Sequence, residues 1–132
     1  MTVLIAFIDQ VAAVTGLTKG TNLFATRLPE LPDAAVCVYE YDGQAAHYTM
    51  GDSGDVMDRP RFQVLARGSK HGYAAARDLI GLIHEGLDAT EVTWGGYRVH
   101  RSMPLYTPSS LGNDEADRPM IGCRFELTVT RA

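Results

Sequence analysis

The sequence predicts an α+β fold, a mainly antiparallel β-sheet with an N-terminal helix and a second helix packed on one face. Three observations predict it. Apolar residues recur at helical spacing in two separate stretches, near residues 3–15 and 73–87. A Gly95-Gly96 pair divides two strand-like runs, as in a tight hairpin. The last stretch alternates strictly, with Ile121, Cys123, Phe125, Leu127 and Val129 on one side and Arg124, Glu126, Thr128 and Thr130 on the other. That is the pattern of a long half-buried strand. A chain of 132 residues without repeats suits one domain, 1–132, with a single core.

Each element follows from local pattern. Thr2 caps a helix running to about Thr15, with Leu4, Ile8 and Val11 on one stripe and Phe7, Val11 and Val14 on another; Gly16 and Gly20 end it. Asn22 to Arg27 is a short strand candidate. Pro29 and Pro32 enforce an extended segment, because each fixes its own φ and biases the residue before it away from helix. Ala35 to Tyr41 is rich in β-branched and aromatic residues and reads as a strand. Residues 42–60 have the glycine and aspartate content of a loop, with His47 to Met50 as a short strand inside it. Arg61 to Arg67 reads as a strand with Phe62, Val64 and Ala66 on one face. Ser69 is a cap for the helix Tyr73 to Leu87, whose stripe is Tyr73, Ala76, Ile80, Ile83 and Leu87. Glu91 to Trp94 and Tyr97 to Met103 form the hairpin, with positive φ expected at both central glycines. Residues 104–119 read as a polar loop before the final strand.

Composition excludes several classes of function. Hydrophobic residues are 45% and charged residues 21%, a globular balance, so wholesale disorder is excluded. The net charge of −4 argues against a nucleic-acid binder with a broad basic face. The N-terminal apolar run, Val3 to Ile8, is far short of the ~20 residues a membrane helix needs, and it has no basic lead or cleavage site. The chain reads as soluble and made in a cytoplasm. Cys37 and Cys123 each sit in an apolar strand-like run and read as buried thiols.

Two stretches imitate enzyme motifs. GDSG, residues 51–54, has the letters of a serine-protease nucleophile loop. Its fold of origin needs a histidine and an aspartate far upstream, and here only His47 precedes Ser53. Asp55 follows the motif, where a carboxylate would oppose an oxyanion. DEAD, residues 114–117, has the letters of a helicase motif. SSLGN precedes it in place of an apolar strand, and the chain has no GxxxxGK[ST] phosphate loop. The acids there lack the spacing of a calcium loop and suit a solvated turn. His47, His71, His84 and His100 show no metal-binding spacing, and the cysteines form no CxxC. No catalytic residue, metal ligand or cofactor is expected.

The long polar loops 42–60 and 106–119, flanked by regular strands, are the candidate contact regions. Their candidate interaction residues are Asp52, Asp55, Asp58, Asp114, Glu115, Asp117 and Arg118.

The series of pieces resembles the tail terminator (minor capsid) proteins of long-tailed bacteriophages. It runs from an amphipathic helix through LPELPDAAVCVYEYDG (28–43) and RPRFQVLARGSKHGYAAARDLIGLIHEGLD (59–88) to PSSLGNDEADRPMIGCRFELTV (108–129). The resemblance covers nearly the whole chain and lies in order and spacing. It implies a structural virion protein that forms a ring, six-membered in the family, at the head-proximal end of the tail tube. Such a ring stops tube growth and offers a surface to head completion or connector proteins. The implied partners are further copies of the chain, the tail tube protein and a head-side protein. Genomic DNA would pass through the lumen without specific binding, and no membrane is involved. The protein would be found in the virion, at the head-tail junction, and in the host cytoplasm during assembly. The alternatives are another head-tail completion or connector protein, or a small cytosolic α+β enzyme or ligand-binding domain using the 42–60 loop.

Overall fold

The computed structural model describes residues 2–48 and 56–131; at 42–48, 56 and 131 it describes the backbone alone. Two helices lie on one face of a seven-stranded sheet, as the pattern predicts. Helix α1 spans Val3–Thr15. Thr2 caps it, its hydroxyl accepting from the Ile5 N–H at 3.3 Å, and the Gly16 N–H closes it on the Ala12 carbonyl. Strand β1 is Leu23–Ala25, shorter than the pattern suggests, and it pairs parallel with β2, Ala35–Tyr48. Strand β3 is Val56–Arg67, and helix α2 is Tyr73–Gly86. Strands β4 (Ala89–Trp94) and β5 (Tyr97–Pro104) form the expected hairpin. Strands β6 (Ser109–Asn113) and β7 (Pro119–Arg131) close the chain.

The sheet order is β1-β2-β3-β7-β5-β4, and every pairing but β1–β2 is antiparallel. Strand β7 is the central ruler. One of its edges pairs with β3 from Arg67↔Met120 to Asp58↔Val129. Its other edge is shared: β5 takes Phe125 to Arg131, and β6 takes Pro119 to Gly122. The Leu105 N–H still donates to the Arg124 carbonyl, at 2.8 Å, so β6 continues the line of β5 after a short detour.

The core lies between the helices and the inward face of β2, β3, β5 and β7. Phe7 is its centre, with ring centroids 4.9 Å from Phe62, 5.4 Å from Phe125 and 6.2 Å from Trp94. From α2 and its C-cap, Ala76, Ile80, Ile83 and Leu87 are buried there, and all five alternate residues from Ile121 to Val129 are buried as expected. The helices approach closely where α2 ends. A Cβ at Gly86 would stand 2.9 Å from Val14 Cγ1, which only glycine avoids.

Several expectations are corrected. Most of 42–60 is strand rather than loop, since β2 runs on to Tyr48 and β3 starts at Val56. Ladder pairing with β3 and β7 outweighs the weak propensity of its glycine and aspartates. The irregularity is taken up by register shifts at Tyr41/Gln44 and Gln44/His47. His47 and Tyr48 end β2, and the rest of that candidate strand, with Ser53, lies outside the described residues. The 104–119 loop contains β6, which is entirely exposed and therefore carries no apolar signature. Gly72, not Ser69, is the N-cap of α2, and no side chain bonds there. Tyr73 is 48% exposed, so the buried stripe of α2 begins at Ala76 rather than at Tyr73. In the β4–β5 turn only Gly95 takes positive φ, at 59°.

Candidate interaction surface

The face of the sheet away from the helices carries the polar residues. Ladder geometry puts Tyr39, Tyr41, Arg61, Gln63, Arg67, Arg124 and Glu126 on that one face, because directly paired residues point the same way. Arg61 Nε donates to Glu126 Oε2 at 2.8 Å. The Arg124 guanidinium stands 4.8 Å from the Tyr41 ring centroid and 5.9 Å from that of Tyr106, a cation between two aromatic faces.

At the lower end of this face, where β7 begins, the chain is clamped by two buried arginines. Arg67 and Arg118 are each only 4% exposed. Arg67 donates to the carbonyls of Asp33 (2.8 Å), Pro29 (2.7 Å), Pro32 (2.6 Å) and, more weakly, Glu30 (3.3 Å). Four carbonyls of the LPELPD segment thus converge on one guanidinium, a fork suited to them. Arg118 donates to the Glu30 carbonyl at 2.6 Å, to Asp33 Oδ1 and Glu30 Oε1 at 3.1 Å each, and to Asp114 Oδ2 at 2.8 Å. Asp114 in turn accepts from the N–H groups of Ala116 and Arg118. The Arg118 N–H and the rest of that contact hold the Asp114 carboxyl below its usual range. Burial pulls Arg118 down, but the hydrogen bonds it donates to Asp114 and Asp33 outweigh it and leave its pKa raised. Burial, and then the Arg118 charge, lower that of Arg67.

A groove of about 440 Å³ runs between the LPELPD segment and the β6–β7 turn, with Leu28, Tyr39, Leu65 and Met120 beside the two arginines. Arg118 is already turned on Glu30 and Asp114, and Arg67 on backbone carbonyls. What this arrangement does is hold an irregular segment flat on the sheet, not present free donors to a ligand. A second cluster lies toward the other end. Glu91 accepts from Arg98 Nη2 at 2.8 Å, and its Oε1 lies 3.2 Å from His100 Nδ1; His100 Nε2 lies 3.1 Å from Thr130 Oγ1. The order acid, imidazole, hydroxyl imitates a nucleophile relay. Arg98 already neutralises the carboxylate, and Glu91 is half exposed to screening water, so the hydroxyl is not activated.

The thiols offer no reactive centre either. Burial pushes Cys123 up to about 12 and raises Cys37 too, so both are protonated and inert at neutral pH. Among the described residues no group of three or more His, Cys, Asp or Glu side chains is placed to hold a metal ion, and no helix is long and apolar enough to cross a membrane.

A family model described as bacteriophage tail terminator protein matches residues 10–131. The chain belongs to that family. It is a structural protein of the phage tail, found in the virion. Among solved structures, a chain from the virion of a native gene transfer agent particle has the same fold. The TM-score is 0.63 over 96% of this chain and 93% of that one, at 16% identity. No curated protein matches the sequence.

Of the candidate interaction residues, Asp52 and Asp55 lie outside the described residues. Asp58 is exposed on β3 opposite Val129. Asp114, Glu115, Asp117 and Arg118 are brought together in the β6–β7 turn, with Glu115 and Asp117 exposed and Arg118 buried. Asp58 and that turn therefore stand at opposite ends of β7. Sequence reasoning missed Arg67, Glu30 and Asp33. The available signal was an arginine ending an apolar strand in a chain with a proline-rich segment to be held.

Proposed function

We propose that copies of this chain close into a ring, six-membered as in the family resemblance, on the head-proximal end of the tail tube. The ring ends tube polymerisation and offers the surface to which the head-side protein joins. The role is architectural and not catalytic. The observation that carries this reading is the terminator family match over 10–131, nearly the whole chain. The geometry supports it in two ways. The sheet has two unlike edges, β1–β2 on one flank and β4 with β6 on the other, and a closed ring needs two unlike complementary surfaces on each copy. The groups that imitate catalytic ones are neutralised, buried or engaged in holding the fold, as the clamp and the thiols show. DNA passes through the lumen without specific contacts in this reading, in keeping with the net charge of −4.

Removing the protein from an infection is the test. Electron micrographs should then show tails of uncontrolled length that fail to join heads. Tails of normal length, joined to heads, would overturn the reading.

A further inference from the structure

We propose that each copy in the ring lays the outer face of α2 on the open sheet face of the next, so that Asp78, Leu82 and Glu85 of one copy meet Arg124 and the groove beside it on the other. This rests on the ring reading above. The two edges of the sheet differ in outline, whereas the two faces of the subunit differ in charge and shape. Helix α2 packs on β3 and β7. Its outer stripe and the polar face of those strands therefore lie back to back through the subunit. No copy can join them within itself. A contact between them is head to tail, and it closes when each copy is turned by the same angle against the last.

On α2 the buried side is Ala76, Ile80 and Ile83. Asp78, Leu82 and Glu85 stand at i, i+4 and i+7 on the opposite side, all of them exposed. Leu82 is 52% exposed, an aliphatic side chain in water between two carboxylates. Neither carboxylate has an ion-pair partner among the described residues. Arg77, next to Asp78 in the chain, turns toward Gly81 instead. The sheet face carries the complement. There Arg61, Arg98 and Arg101 each hold a carboxylate, from Glu126, Glu91 and Asp88. Arg124 holds none among the described residues and stands between the rings of Tyr41 and Tyr106. A groove of about 270 Å³ opens beside it, lined by Gln63, Tyr106, Leu111 and Gly122. Gly122 is part of its floor, since a Cβ there would stand 3.0 Å from Leu111 Cδ1. Tyr106 and Leu111 are 56% and 53% exposed. Aromatic rings around an arginine have the composition of a binding hot spot. An aliphatic knob flanked by two carboxylates thus answers an apolar groove flanked by a guanidinium, a helix laid in a groove with acid against base.

The test exchanges the charges. One variant carries Arg124→Glu, a second Asp78→Lys with Glu85→Lys, and a third all three changes. Native mass spectrometry of wild-type protein, alone and with tail tubes, should show rings. In the first and second variants ring yield should fall on the order of tenfold, the size of effect expected at an arginine hot spot, with an unchanged circular dichroism spectrum. The third should regain rings, because acid and base have changed places. Rings from the first or second variant at wild-type yield, or no recovery in the third, would overturn the contact and leave the ring reading standing. Wild type monomeric under both conditions would overturn both. If a charge variant fails to fold, cysteine cross-linking decides. Leu82→Cys and Leu111→Cys subunits, mixed, assembled and treated with a short bismaleimide, should give covalent dimers that neither gives alone, since the native thiols Cys37 and Cys123 are buried. Mixed rings without such dimers would sink the contact.

Discussion

Ser102 is fully buried on β5, and its hydroxyl has no hydrogen-bond partner. An unpaired buried hydroxyl costs about 1–3 kcal/mol, so Ser102→Ala should raise stability by about 1 kcal/mol, read as a higher urea midpoint at unchanged slope. A fall would mean that the hydroxyl is satisfied after all. Phe125 shows the opposite case. It is fully buried against Phe7, and Phe125→Ala should cost about 3–5 kcal/mol. Arg124→Ala, next to it but on the other face, gives up a cation–π contact of about 1 kcal/mol. Similar losses for the two would show that the β7 register is wrong by one residue. That register was legible in the sequence, because strict alternation on a half-buried strand has one reading. Ser102 was not legible: a serine amid Arg101 and Met103 gives no hint that it turns into the core.

Among elements, those with an apolar face could be read and those without one could not. Both helices, the β4–β5 hairpin and β7 stand where periodicity puts them. Strand β6 is exposed along its whole length, and the far half of β2 is rich in polar residues; both exist because a neighbouring strand supplies the ladder, which a local pattern does not contain. The β6–β7 turn was read as solvated and acidic, and half of that is right. Glu115 and Asp117 are exposed, while Asp114 and Arg118 tie the turn to LPELPD. The tie makes stability depend on pH. Asp114 has a folded pKa below its unfolded value, near ~3.9. Its contribution is therefore fully present above that value and is lost as pH falls through the folded one. Melting temperature should drop on acidification below about pH 4. Asp114→Asn should melt lower at neutral pH and show a shallower drop between about pH 4 and pH 2. Equal acid slopes in variant and wild type would remove Asp114 from the account. Arg67→Ala, which strands four carbonyls of the same segment, should cost at least ~2 kcal/mol whatever the pH.

At the scale of the whole molecule, the sheet gives the subunit two distinct ends. Asp58 marks one, opposite Val129, and Glu115 the other, in the turn before Pro119. In the ring proposed above, the strands of every copy are taken to lie along the ring axis. On that arrangement, one end of every subunit would face the tail tube and the other the head. Charge reversal at the two ends should therefore break different steps. Asp58→Lys and Glu115→Lys both alter exposed side chains away from the core, so each should melt within about 0.5 kcal/mol of wild type. In complementation of a knockout, one should give tails of uncontrolled length, because the ring no longer seats on the tube. The other should give tails of normal length without heads. Asp114→Lys serves as the contrast, since it opposes the buried Arg118 and should lower the melting temperature before any assembly step is reached. Loss of the same step by Asp58→Lys and Glu115→Lys would mean that both ends meet one partner, and the strands could not then stand along the ring axis.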